Sequence, residues 1–330
     1  MKSLVTLSAL ITCLACSTKD DDPPATDGGS GGQSGSTSQS GSGGSPPTSG
    51  SGGGGGTSNN DGPLHGAIVV SLKAPTEEND GHTTVIARFF DAPTPNALPN
   101  RLGDEEGDCQ LLIPDLPFCN DPCSPAVCTA DDECTPYPMP LSVGTLTLSG
   151  LGEDVSVTPA TTMFVYQAPS LPNPPCTEGA DVVGKSDRFE LTASCIPQLE
   201  LTGADPIPVM TGEEVHVEWV PPADPSKSRI RIGLDISHHG GKKGEIVCDV
   251  ADTGSYDIPA TLVTQLIDLG LAGYPTINVN RVSVAETTDH GVSLVVSSDI
   301  TRAVDTGVTS CMDPSQCPDE QTCSPAGICE

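Results

Sequence analysis

The sharpest match to a chemical motif is GADVVGKSD, from Gly179 to Asp187. Its letters fit G-x-x-x-x-G-K-[ST], the P-loop in which backbone amides and a lysine, here Lys185, hold nucleotide phosphates. A working P-loop follows a buried strand and opens a helix. Here a proline-rich stretch, APSLPNPPC, comes before the match and cannot be a central strand. We therefore predict no nucleotide site, and we interpret the match as a loop entering a strand from Asp187 to Ser194.

The cysteines form the next candidate chemistry, since thiolates bind zinc. After residue 62 the sequence contains no C-x-x-C pair and no H-E-x-x-H motif, which are the spacings typical of zinc sites. Removing Cys13 and Cys16 from the 14 cysteines leaves 12, an even number that suits up to six disulfides in an oxidising compartment. The predicted disulfide cysteines are Cys109, Cys119, Cys123, Cys128, Cys134, Cys176, Cys195, Cys248, Cys311, Cys317, Cys323 and Cys329.

The pairing of these cysteines is only partly constrained by the sequence. Five of them fall between residues 109 and 134, an odd number, so at least one must pair elsewhere, and Cys248 is one candidate partner. Cys176 and Cys195 flank the P-loop match and are candidates for each other. The four cysteines of the tail allow three connectivities. The near copies CSPAVC and CSPAGIC suggest that one small unit is used twice.

One basic cluster occurs on this acidic chain, at His238, His239, Lys242 and Lys243 in SHHGGKKGEIVC. It lies between two predicted strands, and loops at strand ends often carry function. It can be interpreted as a binding loop for an acidic group or a metal. The alternative is a glycine-rich hairpin turn whose polar tip is solvated.

Calcium and hydrolytic sites have weaker support. Carboxylates are densest at Asp131 to Glu133 and from Asp313 to Glu320, yet no D-x-[DN]-x-[DN]-G loop occurs. We therefore expect no cofactor, with a structural calcium ion as the alternative. No G-x-S-x-G follows a predicted strand, and none of the 6 histidines has an evident nucleophile beside it in the sequence. The sequence thus leans against an enzyme.

The charge of the chain limits its partners. Asp and Glu number 44 against 14 Lys and Arg, giving a formal net charge of −30. Nucleic-acid affinity depends on neutralising phosphates with Lys and Arg. Nucleic acids and anionic lipid headgroups are therefore not expected partners.

The N-terminus, MKSLVTLSALITCLACSTKDDD, has the anatomy of an export signal, with a positive start and an apolar run too short to span a bilayer. Its end resembles a bacterial lipobox, with Ala15 before Cys16. That resemblance implies a signal peptide over 1–15, a lipid on Cys16 as membrane anchor, and an exported protein. Ser17 after the anchor is compatible with sorting to the outer membrane or cell surface. Cys13 is the second candidate, but Thr12 before it fits the lipobox less well.

The remaining chain divides by composition. Residues 16–62 are almost wholly Gly, Ser, Thr, Pro, Asn, Gln and Asp, so they predict a disordered tether with a reach of roughly 40 Å. We then predict a β domain over 63–198 with a cysteine-rich insert at about 104–138. A β-sandwich domain over 199–306 and a cysteine-rich tail over 307–330 follow.

Short runs of alternating apolar residues dominate from Leu64 onward and predict β-strands. Any functional site should therefore be positioned by strands and the loops between them. The predicted strands are 66–72, 83–90, 144–151, 187–194, 213–220, 229–236, 276–284 and 292–298, with another in EIVCDV. One helix is expected in IPATLVTQLIDLGLAG, beginning near Pro259 and ending at Gly270 or Gly273. The fold class is therefore all-β, with one or two sandwiches and one short helix.

TGEEVHVEWVPP followed by RIRIGLDI resembles immunoglobulin- or fibronectin-type strands around a core tryptophan, here Trp219. The tail resembles small cysteine-rich appendices of bacterial surface proteins. We expect a lipid-anchored envelope protein that displays a disulfide-stabilised binding or structural module for an unidentified protein or glycan. The alternative is a tethered exported enzyme acting on envelope or extracellular polymers.

Overall fold

A computed structural model describes residues 62–76, 80–160, 163–237, 241, 243–271 and 274–307, and isolated positions of the tail from Cys311 to Cys329. The predicted signal peptide and tether, with Cys16, lie outside the described residues, as do His238, His239 and Lys242. Residues 62–330 form one compact unit.

The described part of this unit contains twenty strands. In the first half they are β1 His65–Lys73, β2 His82–Phe90, β3 Asn100–Glu106, β4 Cys109–Pro114, β5 Val127–Ala130, β6 Glu133–Thr135, β7 Leu146–Ser149, β8 Val155–Val157, β9 Tyr166–Gln167 and β10 Leu171–Pro172. In the second half they are β11 Asp181–Lys185, β12 Glu190–Ser194, β13 Leu201–Thr202, β14 Ile207–Pro208, β15 Val215–Trp219, β16 Arg229–Asp235, β17 Glu245–Ala251, β18 Ser255–Ile258, β19 Thr276–Glu286 and β20 Val292–Asp305. A 3₁₀ turn at Pro225–Lys227 and one α-helix, α1 Ala260–Asp268, complete the described elements.

The largest sheet has 11 strands, of which nine run in the order β10-β2-β1-β20-β19-β16-β17-β4-β3. β1 pairs antiparallel with β2 and parallel with β20, from Gly66 opposite Val292 to Leu72 opposite Ser298. Strands from both predicted domains therefore share one sheet. Smaller sheets pack beside it, one in the order β12-β11-β7-β8 and one in the order β13-β15-β18.

The predicted alternation explains how these strands bury one face. In β15, Val215, Val217 and Trp219 are buried while His216 and Glu218 between them are exposed. Such a period of two places every second side chain on the same face of a sheet. The buried side chains form two apolar clusters, one around β1, β2, β7, β11 and β12 and the other around β15, β16, β17, β19 and α1. The all-β prediction is confirmed.

The helix lies where the sequence predicted it. Pro259 precedes its first residue, and Leu262, Val263 and Leu266 are buried against the second cluster. Gly270, with a φ of 96°, follows the end of the helix in the left-handed region that glycine adopts most easily. Ile267, next to Leu266, is only partly buried.

Two details of the prediction were wrong. The P-loop match contains a strand, β11, which forms an antiparallel hairpin with β12, whereas we expected a loop there. The alternation of the following residues led us to begin the strand at Asp187, but it begins at Glu190. The end of β3 and all of β4 fall within the predicted insert of about 104–138 and belong to the large sheet. Below, "the insert" means residues 115–140.

A buried polar network lies between the two apolar clusters. Arg281 on β19 pairs with Asp252, and Asp252 also accepts hydrogen bonds from Trp219 Nε1 at 2.7 Å and Ser228 Oγ at 2.6 Å. The Arg281 guanidinium also donates to the Val220 carbonyl at 2.6 Å. Because burying an unpaired charge is costly, these contacts fix the segments that supply them.

Candidate functional site: the cysteine-rich insert

The described part of the basic cluster is small. The Lys243 amide donates to Ser237 Oγ at 3.0 Å, which closes the turn between β16 and β17. Because His238, His239 and Lys242 are outside the described residues, a binding loop at this turn stays a prediction.

The residues of the P-loop match have structural partners. Lys185 Nζ lies 2.6 Å from Glu190 Oε2 across the β11–β12 hairpin, and this hydrogen bond raises the pKa of Lys185. Gly184 faces the first apolar cluster, where an added Cβ would lie 2.8 Å from Ile68 Cδ1. The glycine thus serves close packing of β11, and the lysine pairs with a neighbouring strand.

The predicted calcium ligands of the insert hold a turn. Asp131 Oδ1 accepts a hydrogen bond from the Phe118 amide at 3.0 Å, and Asp132 Oδ1 accepts one from the Asn120 amide at 2.8 Å. In the tail, hydrogen bonds from the Ser315 amide and hydroxyl lower the pKa of the Asp313 carboxyl. Within the described residues, these carboxylates accept hydrogen bonds from backbone amides. They therefore stabilise the local turns in which they lie.

All twelve predicted cysteines form disulfides, namely Cys109–Cys248, Cys119–Cys128, Cys123–Cys134, Cys176–Cys195, Cys311–Cys323 and Cys317–Cys329. Both candidate pairings that the sequence suggested, Cys248 with the first cluster and Cys176 with Cys195, are present. The expectation of a disulfide framework is confirmed.

The insert and the tail share one connectivity. In each, the first of four cysteines pairs with the third and the second with the fourth. In each, the third and fourth cysteines also lie opposite each other as β partners, Cys128 with Cys134 and Cys323 with Cys329. This supports the interpretation of one small unit used twice.

The crossed disulfides also account for two clusters of three close sulfur atoms. Each cluster contains three Sγ atoms within 4.8 Å of one another, one in the insert and one in the tail. Zinc requires deprotonated thiolates as ligands. Sulfur atoms held in disulfides do not supply them, so these clusters are structural.

The insert is fastened at both ends to the large sheet. At its start, the Asp115 amide donates to the Pro99 carbonyl at 2.9 Å, beside the β3–β4 pair. At its end, the Met139 amide donates to Asp91 Oδ1 at 2.8 Å, and Pro140 forms a β-bridge with Phe90 of β2. The insert therefore returns the chain from β4 to the end of β2.

Large apolar side chains are exposed on this stapled segment. Leu116 is 65% exposed, Phe118 69%, Tyr137 59% and Met139 68%. Leu98 and Leu102, next to the insert and on β3 respectively, are exposed as well. These six residues, which we call the insert surface, account for six of the nine exposed large apolar residues of the described chain.

This surface was not predicted from the sequence. The four insert residues stand singly beside prolines and cysteines, in DLPFC and PYPMP, rather than in an alternating run. Such residues have no strand face on which to be buried. Single large apolar residues between prolines and cysteines were the feature of the sequence that could have indicated this surface.

The described histidines form no enclosed catalytic group. His216 Nδ1 lies 2.6 Å from Asp257 Oδ1, and His290 Nδ1 lies 2.6 Å from Glu286 Oε2. Both histidines are more than half exposed. Neither histidine lines the cavity of about 270 Å³ that is bounded by Cys119, Asn120, Asp121, Asp132 and Cys134, nor the smaller one beside Ile196 and Ser228.

No protein-family model and no curated protein matches this sequence. None of the described helices is both long and apolar enough to cross a bilayer.

Proposed function

We propose that this chain is an exported lipoprotein, anchored through Cys16, that displays a disulfide-stabilised β domain at the outer membrane or cell surface to bind another protein. Six disulfides suit an oxidising compartment, where such bonds form and persist. The lipobox-like signal supports the anchor.

The observation that carries the binding role is the exposure of Leu116, Phe118, Tyr137 and Met139 on the insert. Clustered exposed apolar residues mark interaction sites, and aromatic residues and Met are enriched at protein interfaces. Two disulfides hold the backbone that carries these side chains. A preorganised segment loses less conformational entropy when it binds.

A protein partner fits this surface better than a glycan or a small molecule. Small ligands bind in concave pockets with a few converging polar groups. The insert presents protruding apolar side chains instead, and its cavity lies between the disulfides and the carboxylates of Asp121 and Asp132. An exported enzyme is the second candidate function, and the exposed His216–Asp257 pair is the observation that favours it.

Photo-crosslinking from defined positions in cells tests the proposal. A benzophenone amino acid is placed at Tyr137 or Phe118 in the full chain, and at Tyr274 as the matched control, since Tyr274 is 60% exposed but lies outside the insert. We expect discrete protein adducts from Tyr137 and Phe118 and none from Tyr274. Equal adduct patterns at all three positions, or adducts at none, would contradict a binding role for the insert.

A further inference from the structure

We infer that the insert surface binds a protein segment in which basic side chains stand beside apolar ones. This inference rests on the proposed function and specifies the chemistry of the partner. It comes from the combination of apolar exposure and charge around the insert, neither of which selects a partner alone.

The apolar part of the surface continues along the edge of the large sheet. Asn100 pairs with Pro114 and Leu102 with Leu112 in the β3–β4 ladder. The hydrogen bond from the Asp115 amide to the Pro99 carbonyl keeps the same register. Leu98 and Leu116 therefore flank this contact at the end of the ladder, and Leu102 lies on one face of β3 beside it.

This face is the one turned away from the domain core. On the other face of β4, Leu111 and Ile113 pack into the second apolar cluster. Because successive side chains of a strand alternate between faces, Leu112 and its partner Leu102 point outward. The edge strand therefore adds leucines to Leu116 and Phe118 at the start of the insert. Met139, at the other end of the insert, lies beside the end of β2.

The charge around this surface is predominantly negative. Between residues 98 and 139 the sequence has nine carboxylates and one cation, Arg101. All nine are exposed, at Asp104, Glu105, Glu106, Asp108, Asp115, Asp121, Asp131, Asp132 and Glu133. Among the described residues, no Lys, Arg or His forms a salt bridge with any of them.

Charge complementarity distinguishes between the partners that could bind an exposed apolar surface. A second copy of this chain would bring the same acidic surface and a net charge of −30, so like charges would face each other. Anionic lipid headgroups would be repelled for the same reason. A protein segment with Lys or Arg around Leu or Phe satisfies both the apolar contacts and the rim of carboxylates.

Binding of three synthetic peptides to the full-length protein in detergent tests the inference. One fluorescent peptide alternates Leu and Phe with Lys, the second has Glu at each Lys position, and the third has Ser at each apolar position. We expect the Lys–Leu–Phe peptide to bind at least about tenfold more tightly than the other two, since each loses one of the two contributions. Raising the salt concentration should weaken its binding.

Two variants locate the binding site. Leu116→Ser combined with Phe118→Ser should weaken binding of the Lys–Leu–Phe peptide about tenfold or more, as expected for anchors at the centre of an interface. Tyr274→Ser, an equally exposed aromatic elsewhere, should leave it unchanged. Glu105→Gln with Glu106→Gln should reduce the salt dependence while the apolar contacts stay.

The outcomes separate this inference from the proposed function. Equal binding of the Lys–Leu–Phe and Lys–Ser peptides, or unchanged binding to the Leu116/Phe118 variant, would mean attraction by net charge alone and would overturn the inference. So would equal binding of the Lys and Glu peptides. If the insert crosslinks a protein in cells while the peptides show no such preference, the binding role stands and the partner chemistry is wrong.

Discussion

Arg281 Nε lies 2.6 Å from Asp252 Oδ2, and the two side chains are 1% and 0% exposed. This pair sits where the two apolar clusters of the domain meet. The chain passes from Ile196 of the first cluster to Leu199 of the second beside it, and Arg281 Nη1 lies 3.3 Å from the Gln198 carbonyl between them. The ion pair therefore links the two halves of the core.

Replacing Arg281 by Met should lower the free energy of unfolding by about 3–5 kcal/mol, because Asp252 is left buried without its cation. Arg229→Met is the matched control, since Arg229 pairs with Asp249 at the surface, where a pair contributes less than about 1 kcal/mol. Guanidinium unfolding followed by circular dichroism and by the fluorescence of Trp219 measures both. Equal losses in the two variants would show that burial of the pair is unimportant.

The Cys109–Cys248 disulfide should dominate the stabilisation by crosslinks. It joins neighbouring strands β4 and β17 and spans 139 residues of sequence. The chain-entropy relation gives about 5 kcal/mol for a loop of that length. Cys109→Ser with Cys248→Ser should lower the unfolding midpoint strongly in denaturant titrations.

Removing a disulfide of the insert should affect global stability less than removing Cys109–Cys248. Cys119→Ser with Cys128→Ser opens a loop with a sequence separation of only 9. We expect a smaller change in global stability, together with faster proteolysis between residues 115 and 140. If this variant unfolds as readily as the Cys109/Cys248 variant, the insert is part of the cooperative core.

The lipobox-like signal predicts that Cys16 carries the lipid. Cells that produce the full chain should incorporate an alkyne-tagged palmitate into the protein, and Cys16→Ala should abolish the label. Cys13→Ala is the control and should retain it. Label that persists in Cys16→Ala and disappears in Cys13→Ala would move the anchor to the second candidate.

The P-loop match should have no affinity for ATP, because Lys185 already pairs with Glu190 and Gly184 packs against the core. Equilibrium dialysis with ATP and Mg²⁺ should give the same background for the wild type and Lys185→Ala. Saturable binding that disappears in Lys185→Ala would contradict the structural role assigned to the hairpin.

Asp289, in the turn between β19 and β20, should titrate below the ordinary range of aspartate. The Thr287 hydroxyl donates to Asp289 Oδ1 at 2.5 Å, and this bond, followed by the Gly291 amide, lowers the pKa of Asp289. A lowered folded pKa stabilises the protein above the unfolded value of about 3.9, and this stabilisation is lost as pH falls through the folded pKa.

Thr287→Val removes the larger of these hydrogen bonds. Carboxyl NMR titration should show the pKa of Asp289 rising toward its ordinary value in this variant. The pKa of Asp224, which is lowered mainly by hydrogen bonds from Ser226 in a separate turn, is the internal control and should not move. A titration midpoint of Asp289 that is unchanged in Thr287→Val would reject the assigned cause.

Local sequence patterns were sufficient to predict several of the strands and the helix that contribute to the core. The alternation in HGAIVVSLK and VHVEW placed β1 and β15 within two residues of their observed ends. The proline, the apolar spacing and the glycine of α1 were equally informative. These elements are defined by residues close together in sequence, which is where periodicity carries information.

Long-range relationships could not be predicted in the same way. β1 pairs in parallel with β20, more than 200 residues later, and such pairing leaves no local signature. β3 was missed because NRLGDEE, an edge strand, is charged rather than alternating. β20 continues to Asp305, but from Asp299 onward it is only partly buried and includes several polar residues, so the sequence pattern did not predict this half of the strand.

The candidate site was harder to predict than the fold. The cysteines predicted a stapled segment, but their connectivity is set by three-dimensional proximity and not by spacing. Exposure of Phe118 and Met139 depends on the absence of a covering element among the described residues, which the sequence of the insert does not state. The negative charge of the surrounding carboxylates, in contrast, could be predicted directly from the sequence.

The position of β1 determines how the domain responds to mechanical force. Tension arriving through the residues that precede Gly62 enters at the first residue of β1, which is hydrogen-bonded to β2 on one side and to β20 on the other. Pulling along the strand loads these two rows of hydrogen bonds in shear, all at once, instead of opening them one after another. A pull along β1 is therefore resisted by both rows together, and Pro140 of the insert, which bridges Phe90 opposite His65, lies beside the loaded end.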